Sequence, residues 1–458
     1  MPGNMPITDG NANPADVSGA RRRWGKAVVI GGGFAGLVTA RVLTDFFVEV
    51  VILEQDELDE NAGVHPDVPQ GKHAHGMLAR GGQILERLFP GLRAELEAAG
   101  APVFDYGEYV HFLLPEGYAP RVHTGVPLQT FTRDELERVI RRRVRALPQI
   151  TLVDGVRCLG LAAKADGHVT GVLHSLDDVV DAEFVVDASG RSSVLTEWLA
   201  RLHVEVPPKR VVKARVSYTS VGFERSDRDE VDFTLAYQMT IAPDVARGGV
   251  VLAVENDRWL CSLVGYEENV PPVDDEGYLQ FARGLDNTHL FKLLEHRRGQ
   301  DGVRRYTHLN NEWRQFHRVR AWPERLVAVG DAVCVLNPVF GQGMTMSAVH
   351  AELLHEMLAA RAEAGGGLDG LGRSFQARLV RAIRPAWTLS SGSDLMWDSR
   401  HRPPASARVA HWYNRRLLAA AVREPEIWIR FVRVVNMIAP PATLFAPGVL
   451  AKVFARTG

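Results

Sequence analysis

The sequence has few cysteines, no long apolar run and almost no net charge. Three cysteines among 458 residues, Cys158, Cys261 and Cys334, are scattered and lack CxxC spacing, which argues against a disulfide framework or a zinc site and fits a reducing cytoplasm. A formal net charge of -2 gives no reason to expect nucleic acid or an anionic membrane as partner. The apolar stretch 427–454 is broken by Arg430, Arg433, Pro440 and Pro441, so no run approaches the ~20 residues of a membrane-spanning helix. A helix packed on the core, lying on a membrane or lidding an apolar pocket is compatible with it. The first 24 residues have no apolar segment behind a basic start and read as a flexible tail, not a secretory signal. What is present is an ordinary globular composition, 46% apolar and 24% charged, on a chain too long for one core; two or three interleaved domains are expected.

Three short apolar runs, 27–30, 184–186 and 326–329, read as buried parallel strands, each ending at a turn rich in Gly or Asp. Their wide separation predicts that the chain leaves one sheet and returns to it. Between 213 and 266, longer β-branched and aromatic runs predict a mostly antiparallel sheet, and after Gly343 the chain reads as helical with a Gly-rich hinge at 365–367. The helix 132–147 opens with a capping box, Thr132 to Glu135, and presents Leu136, Val139, Ile140, Val144 and Leu147 on one face. Its Arg-rich remainder reads as solvated surface.

Gly31-Gly32-Gly33-Phe34-Ala35-Gly36 is a GxGxxG match between strand 27–30 and a helix, and a second strand, 48–53, ends in Glu54. Gly31 permits the tight turn, Gly33 lets backbone approach a pyrophosphate, and Gly36 lets helix and strand pack closely. The helix N-terminus offers unpaired N–H groups and partial positive charge to phosphates. Glu54, 23 positions after Gly31, has the spacing of an acid that accepts hydrogen bonds from an adenosine ribose. A carboxylate there disfavours a 2′-phosphate, which leaves FAD or NAD. Phe34, Ala35 and Gln55 border the same contacts and are counted with the cofactor site.

A later segment separates the two. Val327-Ala328-Val329-Gly330-Asp331-Ala332, then Asn337-Pro338-Val339-Phe340-Gly341-Gln342-Gly343-Met344 and a helix from 345 to about 360, resembles the second flavin signature of the para-hydroxybenzoate hydroxylase-like flavoprotein superfamily. The resemblance implies FAD, with Asp331 on the ribityl chain or pyrophosphate and Gly341, Gly343 and Met344 bordering the isoalloxazine. A helix dipole there stabilises negative charge on a reduced flavin. Asp187-Ala188-Ser189-Gly190-Arg191 is similar to the family's central motif in the form found in flavin epoxidases, halogenases and cyclases of specialised metabolism, which implies that Asp187 and Arg191 are in the site. The stretches 68–80 and 88–92 resemble polyene and polyether epoxidases of polyketide pathways and imply that Arg80 contacts the cofactor; His73 and His75 have either a ligand role or none. Arg133, at its helix start, is implied to meet the FAD.

The implied fold is α/β. A discontinuous, GR2-like Rossmann-type FAD-binding domain takes 25–105, 125–210 and 320–365; an antiparallel substrate-binding sheet domain takes 106–124 and 211–319; a C-terminal helical region takes 370–458. The implied activity is that of an FAD-dependent monooxygenase. NAD(P)H reduces the flavin, and its C4a-hydroperoxide delivers one oxygen to a large apolar, polyene-type substrate by epoxidation or hydroxylation. The same relatives include non-redox, decalin-forming 4+2 cyclases of Diels-Alder type in which FAD is structural, and a flavin-binding protein without catalysis is a third option. No Ser/His/Asp arrangement, metal cluster or paired carboxylate is readable, so no catalytic side chain or metal is assigned. No second GxGxxG follows a strand, so NAD(P)H binds transiently or an external flavin reductase serves. The WxWxIP signature of flavin halogenases is absent. Phe233, Tyr237, Trp259 and Tyr266 either line the substrate cavity or belong to the core.

Overall fold

The computed structural model describes residues 24–58, 75–176, 178–226, 229–297, 301–307, 309–398 and 400–455. The tail expected over 1–24 lies outside these except for Trp24, which is already part of the first strand, and the stretch 68–74 with His73 also lies outside.

The chain opens with β1 (Trp24–Ile30), α1 (Phe34–Leu43) and β2 (Phe47–Leu53), then passes through α2 (Ala79–Leu88), β3 (Val110–Leu114), α3 (Arg133–Arg145), β4 (Ile150–Val153) and β5 (Phe184–Asp187). Next come β6 (Val216–Glu224), β7 (Leu235–Gln238), β8 (Arg247–Val254), β9 (Arg258–Tyr266), α4 (Asp275–Arg283), α5 (Thr288–Glu295) and β10 (Asn311–Arg314). The path ends with β11 (Leu326–Ala328), α6 (Gly343–Glu363), α7 (Leu371–Leu395), α8 (Ala405–Arg423) and α9 (Pro425–Val435), followed by a short terminal helix.

The three separated apolar runs do meet in one sheet of order β11-β5-β1-β2-β4, parallel throughout. Val28 pairs with Val185 on one side and Val51 on the other, and all three are buried. Burial on both faces is what makes such strands continuous apolar runs. Helices α3 and α6 pack against α1, and α7 packs against β11.

The second sheet has seven strands, with β6, β9, β8, β7 and β3 side by side between the short edge strands Arg304–Tyr306 and Gly117–Tyr118. All neighbours are antiparallel except β7 and β3, where the early segment Val110–Leu114 enters alongside Leu235–Gln238. Its two faces are covered differently. One carries Val221, Phe233, Trp259 and Cys261 in a core closed by α4 and α5. On the opposite face Phe112, Leu114 and the partly buried Tyr237 meet Leu417, Trp428 and Phe431 of α8 and α9. Phe233 and Trp259 are thus core beneath α4 and α5, not cavity lining.

Helix α3 starts at its expected cap: the Thr132 hydroxyl accepts from the Glu135 N–H at 3.2 Å. The reciprocal half of the capping box is supplied from elsewhere. The Thr132 N–H donates to Glu255 at 3.0 Å, while Glu135 pairs with Arg138. Among the described residues no helix is long and apolar enough to cross a membrane.

Candidate functional site

The C-terminal ends of β1, β2, β5 and β11 converge on one cleft. Gly31 follows β1 at φ +101°, and a Cβ there would stand 2.7 Å from the Ala188 carbonyl oxygen. At Gly36 a Cβ would meet the Gly31 carbonyl oxygen at 1.9 Å, so the helix can come this close only with glycine. Gly33 differs: a Cβ built there meets nothing within 4 Å. It caps α1, whose first turn has no acidic side chain, so free N–H groups and open space coincide where a pyrophosphate would lie. Phe34 is buried in the core and Ala35 packs at its edge, so their side chains are turned away from the turn and only their backbone is left to meet a cofactor.

Glu54, just past β2, is buried, and its carboxylate accepts from the Gly32 N–H at 2.5 Å and the Asp56 N–H at 3.0 Å. The acid therefore holds the glycine turn in shape at the place where a ribose would meet it. Gln55, the next residue, is exposed.

Gly330, at φ +59°, packs its Cα against α1, where a Cβ would be 2.8 Å from that of Ala35. Its N–H donates to Nδ1 of the buried His350 at 2.9 Å, and burial pulls that imidazole down to about 3, so it is a neutral acceptor at pH 7. Burial pushes the Asp331 carboxyl above its ordinary value, while the charges of Arg191, Arg133 and Arg314 oppose the shift. Arg314, buried on β10, donates to the carbonyls of Asp331 (3.1 Å), Ala332 (3.2 Å) and Arg191 (2.8 Å). It ties two site turns together. Burial works against the charge of Arg133, but Glu137, held at 2.6 Å, together with Asp331 and Asp134 more than offsets it and raises its pKa. From β6 of the second sheet, Tyr218 lies within the field of Arg191 and Arg133, so that sheet overlooks this end of the cleft.

Gly341 (φ +63°) and Gly343 leave open space at the N-terminus of α6, whose first turn also lacks an acid, and Met344 is half-buried beside them. The loop leading there is anchored by Asn337, wholly buried and bonded to Asp394 of α7.

Two residues expected at the cofactor have protein partners of their own. Asp187 is fully buried and its carboxylate accepts from the Ser189 N–H (3.0 Å), the Ser189 hydroxyl (2.5 Å) and the Ser193 hydroxyl (2.6 Å). It braces its own turn. The Arg80 guanidinium donates to Glu352 at 2.5 Å, two and a half turns along α6 from Gly343. The Arg-rich face of α3 is likewise not all solvated, since Arg141 is 4% exposed. Sequence reasoning gave no signal for Arg314, His350, Glu137, Arg141 or Asp394; each acquires its place from a partner distant in sequence or from the packing of its helix.

Among the described residues, Asp105, Glu108 and His123 bring ligand-type atoms within 4.8 Å of one another. Asp105 is already committed to the Gly107, Thr124 and Val126 N–H groups, so the trio reads as a loop brace.

The residues fit FAD: two acid-free helix N-termini, a glycine turn open only at Gly33, and two acids, Glu54 for the ribose and Asp331 for the ribityl chain. The comparisons agree. Residues 25–379 match the family described as "FAD binding domain". Protein Rv3254 of Mycobacterium tuberculosis is 29% identical over 427 residues, covering 89% of this chain and 88% of the relative. PqsL of Pseudomonas aeruginosa, described as a probable FAD-dependent monooxygenase, shares the fold at a TM-score of 0.64 with 14% identity, covering 84% of this chain and 99% of that one. The Diels-Alderase PyrE3 of the pyrroindomycin pathway shares it at 0.60 with 18% identity, covering 91% and 81%.

Proposed function

Since the chain belongs to the FAD-binding-domain family, we propose that it is a cytoplasmic FAD-dependent monooxygenase of specialised, polyketide-type metabolism that acts on a large apolar, polyene-type substrate. Bound FAD supplies the redox and oxygen-activating chemistry, and the chain supplies binding, orientation and a dry cavity. The observation that carries this reading is the N-terminus of α6. It is free of acidic side chains, opens at Gly341 and Gly343, and favours negative charge on a reduced ring. Glu54 holds the ribose and Asp331 the ribityl chain, and Arg133 and Arg191 supply positive charge beside Asp331. Tyr218 of β6 walls the substrate side, while Phe112, Tyr237 and Trp428 are packed core where α8 and α9 meet the sheet. NAD(P)H visits transiently, or a separate flavin reductase delivers the electrons.

A second reading is a 4+2 cyclase in which FAD is part of the pocket wall. It is favoured by the commitment of Asp187 to its own turn and by the likeness to PyrE3. Confinement of a folded polyene can by itself accelerate ring closure.

One experiment separates them. The purified protein is incubated with a candidate polyene, with and without NAD(P)H and oxygen. The monooxygenase reading expects NAD(P)H to bleach the flavin and the product to gain one oxygen atom. A product of unchanged mass, formed anaerobically without reductant, overturns it in favour of the cyclase.

A further inference from the structure

Arg141 lies on α3 eight residues after Arg133, on the side of the helix that also carries Glu137. Arg133 stands at the Asp331 end of the cleft. The other end of the helix is tied to the Glu54 region. There Arg145 reaches Asp154 at 4.0 Å, Val153 pairs with Leu53, and the Glu54 N–H donates to the Val153 carbonyl at 2.9 Å. From 133 to 141 the helix advances ~12 Å. One helix side thus runs from the ribityl end of the cleft to the ribose end.

The Arg141 side chain is 4% exposed, yet its Nε and Nη2 have no hydrogen-bond partner. Glu137 is the adjacent acid on its own helix, but that carboxylate is held by Arg133. The other charged groups that face Arg141 are Arg145, Glu54 and Asp134. Burial works against its charge and lowers its pKa, but a guanidinium remains protonated at neutral pH. A buried cation with two unsatisfied donors is costly unless a ligand completes it.

We infer that Arg141 is a cofactor-binding residue: its guanidinium donates to the adenosine diphosphate half of the dinucleotide, forming with Glu54 and the N-terminus of α1 a three-sided cradle. This rests on the reading of the cleft as an FAD site.

The test uses the full chain stripped of flavin, as wild type, Arg141→Met and Arg141→Lys. FAD affinity is read by fluorescence titration and the melting temperature by tryptophan fluorescence of the flavin-free protein. Removing a charged donor pair should weaken FAD roughly 10- to 100-fold in Arg141→Met, with partial recovery in Arg141→Lys. The flavin-free melting temperature should stay level or rise, because Met relieves a buried, unpartnered charge. FAD affinity within twofold of wild type in Arg141→Met overturns the inference while leaving the FAD site intact. A fall in the flavin-free melting temperature overturns it by assigning Arg141 to the fold. Failure of the wild type to bind FAD sinks the reading of the cleft itself.

Discussion

The side-chain amide of Asn337 donates to both carboxylate oxygens of Asp394, at 3.0 and 3.1 Å, and so fastens the loop that leads into α6 to the buried side of α7. Asn311 adds a bond of 2.6 Å and the Tyr266 hydroxyl one of 3.4 Å, while Tyr266 stacks on Trp397. Burial nevertheless pushes the Asp394 carboxyl up to about 7, from an ordinary 3.8. The folded state then binds the proton more tightly than the unfolded chain. The resulting stabilisation is fully present below about pH 4 and is lost as pH rises through about 7, on the order of a few kcal/mol. Urea denaturation of wild type and Asp394→Asn across pH 4 to 8 checks this. The stability of wild type minus variant should decline toward pH 7 and then level off; a flat difference refutes the assignment.

Gly33 and Gly36 should respond oppositely to alanine. At Gly36 the new Cβ meets backbone at 1.9 Å, and backbone cannot rotate away. Gly36→Ala should cost roughly 3 kcal/mol or more, in the range of severe overpacking. Gly33 has φ -74° and open space, so Gly33→Ala should leave the flavin-free stability within about 0.5 kcal/mol. Its methyl group fills the cradle, and FAD titration should show the loss there.

Glu54→Lys and Asp331→Ala should both purify without yellow colour. The first replaces the acceptor of the Gly32 N–H with a cation at the ribose position, and the second removes the acid amid Arg191, Arg133 and Arg314. Stoichiometric FAD in both variants places the cofactor elsewhere.

Glu137 is buried beside Arg133 at 2.6 Å and within the field of Arg141. Glu137→Gln should destabilise the flavin-free protein by ~3 kcal/mol, because it leaves buried guanidinium charge uncompensated. Chemical denaturation reads this directly, with Glu97→Gln on the exposed face of its helix as a neutral control.

The predictions differ in how far a linear reading could have reached them. The turn 31–36 was legible because its determinants are consecutive: a strand, three glycines at set intervals and a helix start act through local backbone geometry. The same holds for the Thr132 cap, which bonds three residues ahead, and for the parallel strands, whose two buried faces demand unbroken apolar runs. The Gly341 to Met344 helix start was legible for the same reason.

What only the tertiary structure decided depends on partners remote in sequence. Arg141 and Arg142 are indistinguishable in the string, yet packing of α3 against α1 and β4 buries one and exposes the other. The second arm of the Thr132 cap comes from Glu255, 123 positions away, and Asn337 meets Asp394 across 57. Strand alternation separates Ala236 from Tyr237, but which face receives α4 and α5 and which receives α8 and α9 is settled by connections far from those strands. The sequence by itself determined where a dinucleotide turn forms, since backbone conformation is local. Which charges are buried around it was decided by the fold, since desolvation depends on everything that packs there.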